Sequence, residues 1–232
     1  MPKLFALVPA AGSGARMGAD QPKQYLALAG KPVLYHALRR LATCADIERA
    51  FVVLAAGDAH FAKQDWRPFA GRLEPLYCGG ATRAASVFNG LLAVRDLVAA
   101  DDWILVHDAV RPCLPAAALD RLIATLRDDA AGGLLALPVV DTIKRADAEG
   151  RVAQTESRDS LWQAQTPQMF RYRVLLEALR AIDPAAVTDE ASAIERLGFK
   201  PRLVMGDTRN LKVTYPQDME MAELILKSSG DA

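Results

Sequence analysis

A glycine-rich loop directly follows the first apolar segment of the chain. Residues 4–8 form a short apolar run that predicts a buried strand, and glycines follow it at positions 12, 14 and 18. Glycines placed there let backbone N–H groups approach and surround an anion. The same segment contains Arg16 and, seven residues later, Lys23. A backbone cradle with two cations suits a triphosphate that gathers negative charge during transfer.

Two better-known phosphate-binding loops fit this segment poorly. A dinucleotide-binding turn has the spacing G-x-G-x-x-G and opens into a helix, whereas here the last glycine comes one residue late and Pro22 precedes any helix. A Walker A loop needs Lys-Ser/Thr after its last glycine, where this chain has Ala19. An ordinary strand-to-helix turn with solvated Arg16 and Lys23 stays open on this segment alone.

The composition of the chain argues against some classes of binding partner. The chain has 232 residues, with 28 Lys and Arg against 28 Asp and Glu, so no overall field favours nucleic acid or an anionic membrane. We expect no signal peptide, because the first strand starts at once, and no span of roughly 18 apolar residues occurs. The cysteines at 44, 78 and 113 lack metal-ligand or disulfide-framework spacing and indicate a reducing, cytoplasmic location.

Strand-like and helix-like segments alternate along most of the chain. This alternation predicts a single Rossmann-like α/β domain over residues 1–232, with a mainly parallel central sheet flanked by helices. Strands are expected at residues 4–8, 51–54, 73–77, 103–106, 134–140 and 202–205. Helices are expected around residues 34–41, 58–66 (short and irregular), 87–98, 119–126 (with Pro115 in its first turn) and 175–182, then one capped by Thr188 and one begun by Pro216.

The alternation stops at about residues 141–161. This segment predicts a polar β-hairpin, and an isolated hairpin is only marginally stable in water. We therefore expect a protruding arm that packs on a second copy of the chain.

Polar clusters follow several predicted strands, where ligands bind in open α/β sheets. They are residues 79–87, with two glycines, Arg83 and Ser86, and residues 107–112, 141–142 and 210–214. Alone, each is compatible with a helix cap or a structural ion pair. Together with the first loop they predict one polar site at the carboxyl edge of the sheet.

Eight segments, in this order, resemble the 2-C-methyl-D-erythritol 4-phosphate cytidylyltransferase family of the nucleotidyltransferase superfamily. They are residues 9–17, 22–25, 79–87, 106–112, 141–144, 161–168, 188–192 and 210–214. The resemblance implies transfer of CMP from CTP to 2-C-methyl-D-erythritol 4-phosphate in isoprenoid-precursor synthesis. It also implies a homodimer joined through the arm, and a Mg²⁺ bridging the phosphates with no assigned protein ligand.

The resemblance also implies the site residues. Those expected to stabilise the transferring phosphate are Arg16, Lys23 and Lys212. Those expected to bind the nucleotide are Pro9, Ala10, Ala11, Gly12, Gly14, Gly80, Arg83, Ser86 and Asp108. Those expected to bind the polyol phosphate are Asp108 again, Arg111, Thr142, Arg158, Thr166 and Thr188. No general base is required, because the attacking phosphate is already ionised near neutral pH.

Two residues depart from the pattern of this family, and two alternative functions remain open. Thr82 replaces an acid that the family often has beside its arginine, and Val110 replaces a commoner alanine, so the shape of the pocket is in question. A ribitol 5-phosphate cytidylyltransferase would share the nucleotide half of the site. A nucleotide-sensing module without catalysis is less favoured, since binding alone would not need three converging cations.

Overall fold

The structure is a computed structural model that describes residues 2–12 and 21–230. The strands are β1 (Leu4–Pro9), β2 (Ala27–Leu28), β3 (Lys31–Pro32), β4 (Ile47–Val53), β5 (Leu73–Leu76), β6 (Trp103–Val106), β7 (Gly133–Pro138), β8 (Ile143–Ala146), β9 (Val152–Glu156), β10 (Trp162–Arg171) and β11 (Arg202–Met205). The α-helices are α1 (Val33–Ala42), α2 (Arg83–Ala93), α3 (Ala116–Leu126), α4 (Tyr172–Arg180), α5 (Glu190–Arg196) and α6 (Pro216–Ser228).

Seven strands form the central sheet in the order β11-β7-β10-β6-β1-β4-β5. Every neighbouring pair is parallel except the two made by β10, so the predicted mainly parallel sheet is confirmed. The chain builds outward from β1 through β4 to β5 and then returns to place β6 on the other side of β1. This reversal opens a crevice at the carboxyl ends of β1 and β6.

Alternating side chains of the sheet feed two apolar cores. On β1, Ala6 and Val8 pack with α1 and α3 on one face, while Phe5 and Leu7 pack with α2, α4 and α5 on the other. Both sets are buried, because helices cover β1 on both faces of the sheet, which is why residues 4–8 are a continuous apolar run. A third, smaller cluster joins β2, α6 and the segment around Val110.

Strand β10 is the main element that the sequence pattern did not predict. It lies between β6 and β7 and pairs with both of them antiparallel. Its first three residues are exposed and the next six are buried, and its pairing with β7 shifts between Ala164 and Gln168. Three glutamines and Pro167 depart from a typical strand composition, and the two buried glutamines, Gln165 and Gln168, are held by hydrogen bonds to distant segments.

The predicted hairpin at residues 141–161 is present as a separate two-stranded sheet of β8 and β9. Nearly all of its residues are exposed in the single chain. Its role as a dimerisation arm stays a prediction.

Several element boundaries differ from those predicted. Helix α2 ends at Ala93 rather than near residue 98, and Pro115 lies just before α3 rather than in its first turn. The segment at 58–66 contains only a 3₁₀ turn, Phe61–Lys63. The prediction that Thr188 caps α5 is wrong: Asp189 is the N-cap, and its carboxylate accepts a 2.9 Å hydrogen bond from the Ser192 backbone N–H.

Candidate active site

A polar cleft of about 610 Å³ lies at the carboxyl ends of β1 and β6, where the strand order reverses. Its described lining residues come from four segments. They are the first loop and the turn that follows it (residues 9–12 and 23–24), the glycine block (residues 79–82) with the start of α2, the turn after β6 and the loop before α6. The lining residues are Pro9, Ala10, Ala11, Gly12, Lys23, Gln24, Gly80, Ala81, Thr82, Arg83, Ser86, Asp108, Ala109, Val110 and Lys212. Four segments far apart in sequence therefore meet in one place.

The first loop forms one wall and is held by Gln24. The buried Gln24 amide donates to the carbonyl oxygens of Ala10 (2.7 Å) and Gly12 (3.0 Å). The neighbouring Lys23 lines the cleft, and its Nζ donates to the Val213 carbonyl at 3.4 Å. Gln24 thus ties the backbone cradle to the turn that bears Lys23, a role that no sequence pattern indicated.

Two predicted site residues of this loop, Gly14 and Arg16, lie outside the described residues. The assignment of Gly14 to nucleotide binding and of Arg16 to the transferring phosphate stays a prediction.

The glycine block packs too closely for larger residues. A Cβ added at Gly79 would lie 2.3 Å from the Ala11 Cβ, and one added at Gly80 would lie 2.6 Å from the Ala85 Cβ. The Gly80 N–H donates to the Ser86 hydroxyl at 3.0 Å. Gly79 therefore lets the glycine block lie directly against the first loop, and Gly80 lets it lie against the start of α2.

Thr82 and Val110, the two departures from the family pattern, both have ordinary roles. The Thr82 hydroxyl caps α2 by accepting from the Ala85 N–H at 3.0 Å. Val110 is buried in the third apolar cluster, and its carbonyl accepts from the Val213 N–H at 2.9 Å.

Alternating charges run from the interior to the cleft. Glu190 accepts two hydrogen bonds from the Arg83 guanidinium, at 2.6 and 3.0 Å. The Arg83 Nε lies 2.8 Å from Asp108 Oδ1, and the Lys212 Nζ lies 2.8 Å from Asp108 Oδ2. Arg83 therefore has two acidic partners without an acid at position 82. Sequence reasoning placed Glu190 only in the first turn of a helix and missed this pairing, which depends on tertiary structure.

The environment of Asp108 keeps its carboxyl ionised. Burial opposes ionisation, but the charges of Arg83 and Lys212 outweigh it and hold the pKa of Asp108 well below its usual range. The pKa of Arg83 is raised despite its burial, because Glu190 and Asp108 stabilise the cation. The cleft therefore has a permanently charged floor whose negative charges are matched by cations.

Arg111 and Thr166 lie beneath the cleft rather than on its surface. Both are buried. The Arg111 guanidinium donates to the Asn210 carbonyl at 2.6 Å, and the Thr166 hydroxyl accepts from the Asp108 N–H at 3.0 Å. In this structure both side chains hold the loops that form the site. Their predicted contact with the polyol phosphate stays a prediction.

Thr142, Arg158 and Thr188 are exposed and are not among the described residues that line the cleft. Thr142 lies at the base of the hairpin. The Arg158 guanidinium donates to the Val140 carbonyl, and the Thr188 hydroxyl donates to the Ser192 hydroxyl at 3.3 Å. One chain by itself does not bring these three residues into the cleft.

The described residues offer neither a metal cluster nor a membrane-spanning helix. They contain no group of three or more His, Cys, Asp or Glu side chains arranged to hold a metal ion. None of their helices has both the length and the apolar character needed to cross a bilayer.

Comparison with known proteins shows which family this chain is similar to in sequence and fold. The model of the 2-C-methyl-D-erythritol 4-phosphate cytidylyltransferase (IspD) family matches residues 4–228. A protein of that name from Laribacter hongkongensis is 61% identical over 226 residues, which cover 97% of each chain. One from Dechloromonas aromatica is 58% identical over 228 residues, covering 98% of this chain and 99% of the relative.

Solved structures agree in fold. The crystal structure of a 4-diphosphocytidyl-2C-methyl-D-erythritol synthase superposes with a TM-score of 0.87 at 42% identity, covering 97% of this chain and 99% of that one. The Francisella tularensis 2-C-methyl-D-erythritol 4-phosphate cytidylyltransferase superposes with a TM-score of 0.82 at 32% identity, covering 97% of this chain and all of that one (100%).

Proposed function

The chain belongs to the 2-C-methyl-D-erythritol 4-phosphate cytidylyltransferase family, and we propose that the cleft beside β1 and β6 is its active site. The enzyme transfers CMP from CTP to 2-C-methyl-D-erythritol 4-phosphate, giving 4-diphosphocytidyl-2-C-methyl-D-erythritol and pyrophosphate in non-mevalonate isoprenoid-precursor biosynthesis. The relatives support this activity and not the ribitol 5-phosphate or nucleotide-sensing alternatives.

The observation that supports this site is the meeting of Lys23 and Lys212 in one cleft. A phosphate oxygen of the polyol attacks the α-phosphorus of CTP, the bond from that phosphorus to the bridging oxygen of the β-phosphate breaks, and pyrophosphate leaves. Negative charge gathers on the oxygens around the α-phosphorus during this exchange, and fixed cations lower its energy. Lys23 and Lys212, with Arg16, supply those charges in the proposal.

The nucleotide half of the site consists mostly of backbone. Residues 9–12 and Gly80 would enclose the cytosine and ribose, with Ser86 held against Gly80 and Arg83 supporting the wall from behind. Asp108 joins the two halves, because its carboxylate binds both Arg83 and Lys212. We assign Asp108 to orienting Lys212 and accepting polyol hydroxyls, rather than to proton transfer, because its pKa is too low for a base near neutral pH.

The chemistry of the cleft fits a Mg²⁺ that arrives with the triphosphate. Of the described residues that line the cleft, Asp108 alone bears a carboxylate that could face the ion, and its oxygens already bind Arg83 and Lys212. Phosphate oxygens and waters would supply the other ligands, which is the usual arrangement for magnesium. When bound, the ion would neutralise charge on the leaving pyrophosphate.

The proposal includes a homodimer joined through the arm at residues 141–161. The exposed hairpin has exposed apolar residues at its base, Val140, Leu161 and Trp162, which would pack on a second copy in a homodimer. Arg158 and Thr188 would then help to bind the incoming polyol phosphate, with Arg158 acting in the partner's site. The cysteines at 44, 78 and 113 form no disulfide, which supports a cytoplasmic location.

The function is tested by incubating the purified protein with CTP, Mg²⁺ and one polyol phosphate while pyrophosphate release is measured. Methylerythritol phosphate should give pyrophosphate and the cytidylylated product, and ribitol 5-phosphate should give far less. Lys63→Ala, which removes an exposed lysine outside the described cleft lining, serves as the matched control for Lys23→Ala. Turnover of ribitol phosphate alone, or none with either polyol, would overturn the function; equal loss in both lysine variants would overturn the assignment of the site.

A further inference from the structure

His107 is a fully buried polar side chain next to the cleft, with 0% exposure, although it is not among the described residues that line the cleft. It follows β6 directly. Its Nε2 lies 3.1 Å from the Arg111 carbonyl oxygen, and its Nδ1 lies 3.1 Å from the Thr166 hydroxyl. The ring therefore closes the turn at residues 107–111 and ties that turn to β10.

The hydrogen-bond donors in this contact can be assigned from the Arg111 carbonyl. A carbonyl only accepts, so the neutral ring carries its proton on Nε2 and donates it to Arg111. The Thr166 hydroxyl accepts from the Asp108 backbone N–H at 3.0 Å and donates its own proton to His107 Nδ1. Burial lowers the pKa of His107 to about 4, which keeps the ring neutral near pH 7 and lets Nδ1 act as an acceptor.

Strand β10, which contains Thr166, also holds the loop that bears Lys212. The Asn210 amide donates to the Thr166 carbonyl at 2.8 Å, and the Asn210 carbonyl accepts from Arg111 at 2.6 Å. Thr166 thus contacts both the turn with Asp108 and the loop with Lys212, whose side chains meet at 2.8 Å. A shift of the turn relative to β10 would change this distance.

We propose that His107 is a positioning residue for cytidylyl transfer: with Thr166, it holds the Asp108 turn so that Asp108 aligns Lys212 with the transferring phosphate. This inference rests on the proposed function of Asp108 and Lys212. It assigns Thr166 a role through the backbone of Asp108 that is independent of any contact between its hydroxyl and the polyol. Misplacement of a charged group by about 1 Å can cost about 100-fold in rate.

The test compares His107→Phe and Thr166→Val, which remove the hydrogen bonds at similar volume, with the partial replacements His107→Asn and Thr166→Ser. We expect kcat to fall about 10-fold to 100-fold in the first two variants, with a smaller change in the KM for CTP, and to recover largely in Thr166→Ser. His36, another buried histidine, contacts the Leu28 carbonyl away from the cleft lining, so His36→Asn controls for general destabilisation and should keep its kcat.

Two double variants separate positioning from a merely structural role. If Thr166 acts through the turn, Thr166→Val should add little to the loss in His107→Phe. If the turn acts through Lys212, His107→Phe should add little to the loss in Lys212→Ala. Independent, multiplying losses in both pairs, or an unchanged kcat in Thr166→Val, would overturn the inference. Should His107→Phe fail to fold, the isosteric Thr166→Val, compared with Thr166→Ser, still decides the outcome.

The wild-type assay keeps this result distinct from the proposed function. A wild-type protein that makes no pyrophosphate contradicts the function itself. An active wild type with undiminished variants contradicts only the role of His107.

Discussion

The Nζ of Lys212 and the Oδ2 of Asp108 lie 2.8 Å apart, although 104 residues of sequence separate the two side chains. The other oxygen of Asp108 binds Arg83, which Glu190 binds from behind. Each charge in this series has an opposite charge beside it, so Asp108 and Arg83 keep their charges despite their burial. The cation at the open end, Lys212, is thereby held over the cleft, and the following predictions test that arrangement.

Lys23→Ala and Lys212→Ala should each lower kcat on the order of 100-fold, the usual cost of removing one preorganised charge from a transition state. The fold should persist, because Lys212 is exposed and Lys23 only half-buried. Steady-state kinetics with circular dichroism measures both effects. A near-normal kcat in either variant would remove that lysine from the mechanism.

Glu190→Gln should destabilise the protein by about 3–5 kcal/mol, because it leaves the charge of Arg83 without one of its buried partners. Glu74→Gln, which breaks the half-exposed pair with Arg49, should cost less than about 1 kcal/mol. Urea unfolding of the two variants measures the difference. Similar costs at both positions would mean that the buried pair contributes no more than a surface one.

Gly80→Ala should lower kcat/KM for CTP roughly 10-fold, since the new Cβ would lie 2.6 Å from the Ala85 Cβ and 3.0 Å from the Ala85 carbonyl carbon. The glycine block would have to shift away from the start of α2, which moves the backbone that lines the cleft. Gly57→Ala, where nothing lies within 4 Å of the new Cβ, should leave kinetics unchanged. Equal kinetics of the two variants would argue against a nucleotide wall at Gly80.

Acidification should destabilise the protein through His107. Its pKa is lowered to about 4 in the fold, against about 6.5 in the unfolded chain, so between these values the unfolded state binds more protons. Stability from this group is complete above pH 6.5 and falls by up to about 3 kcal/mol as the pH drops to 4. Unfolding free energies across this window should therefore slope less in His107→Asn. An unchanged slope would indicate that the ring is protonated in the fold or titrates normally.

Mixing Arg158→Ala with Lys23→Ala tests whether Arg158 acts in the partner's site. If it does, each heterodimer has one site with both residues intact, and random pairing restores roughly a quarter of wild-type activity. If Arg158 serves its own chain, every heterodimer site lacks one group and no activity returns. Subunit exchange must be confirmed by mass spectrometry before a negative result is accepted.

Local pattern in the sequence determined most of the architecture. Apolar runs such as residues 4–8 and 103–106 and the helical spacing around residues 34–41 predicted their elements, because burial on both faces of a parallel sheet leaves a strong local signal. Ordered motifs also identified the family and most of the cleft-lining residues. Those motifs lie where strands end, and the carboxyl ends of parallel strands meet at one edge.

Tertiary structure alone decided which polar side chains pair. Nothing local shows that Glu190 binds Arg83, that Gln24 holds the first loop, or that His107 joins the turn after β6 to β10. Strand β10 was hidden for the same reason, because Gln165 and Gln168 are buried only where other segments supply their hydrogen-bond partners. Burying a polar group is favourable only when a partner satisfies it, and that partner lies far away in sequence. The sequence alone therefore determined the family, most strands of the sheet and the edge at which the site lies, whereas the packing of distant segments determined how the charges of that site are held.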